Sequence, residues 1–222
     1  MVYKINYFMK TKKTIIALIL WVIFYGNVFA QDGSLYLMPA VQGFNFRNLN
    51  SELKEVGFAE TPLTFGSGVG GFGVYKQWRF GGEGTYFSGE RSLDDKSTVA
   101  EGGWGFFYAG YQLSNRTWRI VPQAGIGFGG LTIHATRPTS AASVGQLLQE
   151  GNSTSLSLGG SLLHTALSLE KEVSNNFYVG IKSSYNISLS GKTEWSAKGL
   201  TNTTTDTFNG LQVALIIGFI LK

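Results

Sequence analysis

The chain has no cysteine among its 222 residues, only 4 prolines and 2 histidines, and a charged fraction of 14%. The missing thiols exclude disulfides, thiolate metal sites and a lipidated cysteine, so the fold needs another source of stability. The charged fraction lies well below the roughly 25% usual for soluble domains. Long apolar runs are also scarce: beyond the N-terminus no stretch approaches the ~20 apolar residues of a membrane helix. Against these shortages stand 30 glycines and 14% aromatic residues, with a mean hydropathy of +0.05.

The N-terminus carries Lys4, Lys10, Lys12 and Lys13, then the apolar run Ile15 to Phe24, then Val28-Phe29-Ala30 before Gln31. This is the layout of a secretory signal peptide, with cleavage expected after Ala30 and Met9 as an alternative start. Residues 1–30 hold four of the 18 Lys and Arg and none of the 14 Asp and Glu. The remaining 31–222 are therefore neutral, and the overall pI of 9.2 gives no ground for a nucleic-acid partner.

Alternation of apolar with small or polar residues predicts strands over Ser34 to Asn45, Phe65 to Tyr75, Arg79 to Gly89, Val99 to Leu113, Thr117 to His134, Ser155 to Val173, Asn176 to Leu189 and Phe208 to Lys222. In the last, Leu211, Val213, Leu215, Ile217, Phe219 and Leu221 share one face, and Gln212, Ala214, Gly218 and Lys222 the other. A wholly apolar face opposite a small or polar one is the pattern of a strand between lipid and lumen. Tight turns are expected at 76–78, 114–116 and 174–175. Longer loops are expected over Phe46 to Thr64, Glu90 to Thr98, Ala135 to Thr154 and Ser190 to Thr207. A soluble eight-stranded barrel would invert the faces, with a charged exterior where this chain has Gly and Ser.

Several motifs are discounted. Gly68 to Gly73 and Gly125 to Gly130 match the G-x-G-x-x-G spacing, but both fall inside strands rather than at a strand-to-helix turn, so no nucleotide cofactor follows. Leu49 to Phe58 has helical spacing, with a capping pattern beginning at Ser51 and Gly57 at its end, which predicts a short surface helix. Trp78, Phe80, Trp118 and Phe177 near the turns, and Tyr86 and Trp195 toward the loops, read as interfacial girdles. Pro122 would forfeit a ladder hydrogen bond within its strand.

The candidate polar set is Arg79, Glu83, Glu101, Arg119, Glu170 and Lys182, all assigned to the lumen, where buried charges must pair. A Lys at mid-depth on the lipid face costs about 2–4 kcal/mol, which points Lys182 inward. His164 with Ser161 or Ser168, and Asp94-Asp95 with His134, are the only groupings that bear on acid–base chemistry. Neither forms a readable triad, so both histidines are expected to be dispensable.

Residues 31–222 resemble the small outer-membrane β-barrels of Gram-negative bacteria, of the OmpX-like and OmpA-like kind. The resemblance implies an all-β fold, a closed antiparallel transmembrane barrel of about eight strands following a signal peptide. It also implies outer-membrane lipids, lipopolysaccharide and the barrel assembly machinery as partners, with no cofactor. Many such barrels end in an aromatic residue, whereas here Phe219 lies three from the end and Lys222 closes the chain. The implied role is non-enzymatic, structural or surface-binding through the loops. A small lipid-modifying acyl hydrolase or acyltransferase and a narrow porin are the alternatives.

Overall fold

The computed structural model describes residues 32–115, 117–137, 153–197 and 204–221. The expected signal peptide and most of the Ala135 to Thr154 loop lie outside them. Eight long strands form the wall: β1 (Asp32–Phe44), β2 (Thr64–Tyr75), β3 (Trp78–Leu93), β4 (Lys96–Tyr111), β5 (Trp118–Thr136), β6 (Ser153–Ser174), β7 (Phe177–Ser188) and β8 (Gly210–Leu221). Each pairs antiparallel with its sequence neighbour, and β8 pairs with β1 through Gly33–Leu221 to Phe44–Gly210. The barrel is therefore closed and has no free edge.

The pleat sorts the residues by parity. Leu211, Leu215 and Phe219 are about half exposed on the outer wall, while Gln212, Ala214 and Ile216 are buried inside. The same alternation exposes Leu35, Leu37, Val69, Phe80, Phe107, Ile126, Phe128, Leu167 and Ile181. A contiguous apolar exterior of this extent is stable only against lipid. Inward glycines let the wall coil tightly: a Cβ on Gly127 would stand 2.0 Å from the Gly105 carbonyl oxygen. Pro122 falls between the Gly110–Gln123 and Leu113–Ile120 pairings, where the β4–β5 ladder is interrupted, so its missing N–H costs no ladder bond there.

Three expectations need correction. The segment Glu90 to Thr98 is not a loop: β3 and β4 stay paired out to Leu93–Lys96 and turn at Asp94-Asp95, with Asp94 at φ 53°. Helix α1 spans Arg47–Glu55, so Ser51 is inside it rather than at its cap. Its first N–H groups are capped from far along the chain, Asn48 and Leu49 donating to the Asp206 carboxylate at 3.1 and 3.0 Å. The C-terminus does end as the glycine suggested: Gly57 (φ 76°) donates to Lys54 and Phe58 to Leu53, a Schellman turn. Trp195 is no girdle residue. It is buried under α1, where its indole N–H donates to Asp206 at 3.0 Å.

Candidate functional site

The lumen is filled in layers. At the end that carries the loops, Leu49 and Leu53 of α1 pack with Phe58, Phe87, Trp104, Phe106, Leu131, Ile133, Trp195 and Phe208 in one buried cluster. Phe46 meets Trp195 edge-on at 5.1 Å and stacks on Phe44 at 5.3 Å. The helix is thus a stopper whose apolar side completes the inner packing. Asp206 fastens it by accepting from two α1 amides and the Trp195 indole at once.

Below the stopper lies a charged layer. Arg79 makes a two-pronged ion pair with Glu170, both prongs 2.7 Å, and donates from Nε to Gln112 at 2.9 Å. Ser168 adds a 2.8 Å bond to Glu170. Lys182 is paired with Glu83, which also accepts from the Tyr36 hydroxyl at 2.7 Å and lies 3.5 Å from His164 Nε2. Arg79, Glu170 and Lys182 are at most 1% exposed. Desolvation of such charges is offset only by close pairing and further hydrogen bonds, and both pairs have them. His164 is itself enclosed, bonded through Nδ1 to Asn186 at 2.7 Å and stacked on Phe106 at 4.5 Å.

Of the six polar residues assigned to the lumen, Arg79, Glu83, Glu170 and Lys182 meet in this layer. Arg119 stands at the turn end and pairs with Glu172 at 2.5 Å. Glu101 is a correction: it faces outward. The large inward side chains of β4 are Trp104, Phe106 and Tyr108, so residue 101 has the opposite parity. Ser161 likewise faces away from His164, and Ser168 is engaged by Glu170.

On the outer wall near the loop end, residues on three neighbouring strands come together. His134 of β5 shares a register position with Ser155 of β6, and Nδ1 lies 2.8 Å from Ser155 Oγ. Its Nε2 lies 3.1 Å from Glu101 Oε1 on β4. One pair nearer the turns, Thr132 and Ser157 face each other with hydroxyls 3.2 Å apart. The next outward row is Gly103, Gly130 and Gly159, and below it come Phe128, then Ile126 with Phe107 and Leu163. Sequence reasoning missed this group because its members are 33 and 21 residues apart and meet only through strand register. Asp94-Asp95 belongs to the β3–β4 turn, and the contacts of His134 are Ser155 and Glu101 instead. Among the described residues no cluster of three His, Asp or Glu is placed to hold a metal ion.

Outside the wall, Lys54 reaches Glu60 at 2.5 Å, and that hydrogen bond holds the exposed Glu60 carboxyl below its usual range. No protein-family model matches the sequence, and no curated protein does. Solved structures do match. A major outer membrane protein from Thermus thermophilus is 8% identical over 85% of this chain and 99% of its own, with a TM-score of 0.51. The attachment invasion locus protein Ail of Yersinia pestis, in complex with the heparin analogue sucrose octasulfate, is 15% identical over 86% and 98%, with a TM-score of 0.48. Neisserial surface protein A is 12% identical over 86% and 96%, at 0.43. At these identities the likeness is one of fold, that of an outer-membrane β-barrel.

Proposed function

We propose that this is a non-conducting barrel of the Gram-negative outer membrane that works at its outer surface, as a structural or surface-binding protein, and not by passing solutes through its lumen. One observation carries the reading: the lumen is closed twice, by the α1 stopper latched to Asp206 and by the buried Arg79–Glu170 and Lys182–Glu83 pairs beneath it. An eight-stranded interior is just wide enough for side chains to fill, and here they do. In this reading residues 1–30 direct export, the assembly machinery inserts the barrel, and the loop end faces outward among lipopolysaccharide. The rim formed by α1, the β3–β4 hairpin and the ribbon pairing Lys192–Glu194 with Thr205–Thr207 is the surface offered to a partner.

The experiment is single-channel recording of the purified barrel in planar bilayers, together with fractionation of cells. The expected result is a silent membrane and a heat-modifiable band in the outer-membrane fraction. Resolved conductance steps from the wild-type protein would restore the porin alternative, and recovery in the soluble periplasm would end the membrane reading.

A further inference from the structure

We propose a second activity, outside the lumen and beyond the surface role: Ser155, His134 and Glu101 form a nucleophile, base and acid set that hydrolyses carboxylic esters of long acyl chains at the membrane boundary. A serine hydroxyl is activated by an imidazole that is in turn held by a carboxylate, and such a set is recognised by its geometry and not by chain order. Here Ser155 Oγ lies 2.8 Å from one ring nitrogen of His134 and Glu101 Oε1 lies 3.1 Å from the other. All three side chains are on the outer wall, and none takes part in the lumen packing.

Their height on the wall selects the substrate. Toward the turns the wall becomes apolar at Phe128, Ile126 and Phe107, whereas toward the loops it carries Ser97, Thr136 and Ser153. The ester linkages of a bilayer lipid lie at that same polar–apolar boundary, with acyl chains on the apolar side. Directly beneath the set, Gly103, Gly130 and Gly159 make a side-chain-free floor with Tyr86 beside it. A Cβ on Gly130 would have its nearest neighbour at 3.7 Å, whereas on Gly103 and Gly159 it would meet backbone oxygens at 2.8 and 3.0 Å, so of the three only Gly130 is not imposed by crowding.

In the reaction, Ser155 Oγ adds to the ester carbonyl carbon while its proton passes to His134 Nδ1. The Thr132 and Ser157 hydroxyls, 3.2 Å from each other one pair below, are the donors the proposal assigns to the developing oxyanion. The adduct collapses by breaking its bond to the alcohol oxygen, which leaves with the proton from His134. Water, deprotonated by the same imidazole, then cleaves the acyl-serine, releasing the fatty acid and restoring the hydroxyl. Glu101 is a positioning residue that holds the ring and balances its charge.

The test uses the full mature barrel, with folding checked by heat-modifiable migration. A fluorophosphonate probe reports the nucleophile, and fatty-acid release is followed from phospholipid vesicles and, in a separate arm, from vesicles containing lipid A. The expected result is probe labelling and release in one arm, both abolished by Ser155→Ala and by His134→Gln, and unchanged by Ser161→Ala. Glu101→Gln should lower kcat by about 10²-fold or more with KM little changed, as loss of a base-orienting group does. Whichever arm responds identifies the lipid. A folded wild-type barrel that is neither labelled nor active in either arm, or a Ser155→Ala barrel labelled like wild type, overturns the proposal without touching the sealed-lumen reading, which conductance decides.

Discussion

The two histidines sit on opposite sides of one wall, and the contrast between their surroundings separates what stabilises this barrel from what it offers its environment. His164 lies inside, with no exposed surface, against Asn186, Glu83 and Phe106. His134 lies outside, about a third exposed, between Ser155 and Glu101. Both residues face a carboxylate, yet only the outer one is within reach of a lipid or solute. Strand parity decides the difference, since a shift of one position exchanges the two faces.

The contrast is sharpened most strongly by breaking the interior. Arg79→Met should destabilise the barrel by about 3–5 kcal/mol in detergent unfolding, because Glu170 is left charged and buried. Lys182→Met strands Glu83 in the same way, and should cost a similar ~3–5 kcal/mol, eased by the neighbouring His164. A midpoint unmoved by either change would mean that water already reaches the layer. Asp206→Ala removes the acceptor of two helix amides and one indole. A loss of about 1–3 kcal/mol is expected, with new protease cleavage in α1 as the direct readout.

The histidines themselves give the next pair. His164→Gln should cost about 1–2 kcal/mol through lost stacking and an unfilled site, whereas His134→Gln should stay within about 0.5 kcal/mol. Equal costs would erase the distinction between the faces. The smallest effect is at Glu60. Its carboxyl is held below its usual range by Lys54, so its contribution is present above the unfolded value and fades as pH falls through the folded one. Being open to solvent and screened, it should leave the acid unfolding midpoint of Glu60→Gln indistinguishable from wild type at high salt.

The parity of the strands was legible in the sequence because Leu211, Leu215 and Phe219 could only face lipid, and Lys182 could only avoid it. The inner pairing was partly legible. Once Glu83, Glu170, Arg79 and Lys182 share the lumen, they must neutralise one another, but which meets which depends on strand stagger. Glu101 was misplaced because glycines at 102, 103 and 105 leave the alternation of β4 unmarked until Trp104 and Phe106 fix it. The Asp206 cap was invisible to local reading, since its carboxylate comes from a segment more than 150 residues beyond the helix. Ser51 offers a cap in sequence, but Lys54 stands where a capping box needs Glu or Gln; tertiary contact supplies the acceptor, and the helix begins earlier.

The seam between β1 and β8 sets how the protein comes into being. Every other wall contact joins neighbours in the chain and can zip locally, but Gly33–Leu221 spans nearly the whole described sequence. Until that last ladder forms, the sheet has two raw edges and an apolar outer face with nothing to cover it. Closure must therefore come late, cross the largest entropic barrier of the pathway, and arrive together with lipid. A chain with this seam remains exposed to aggregation throughout its transit, and its persistence once closed is set by the slow rate at which those same bonds open again.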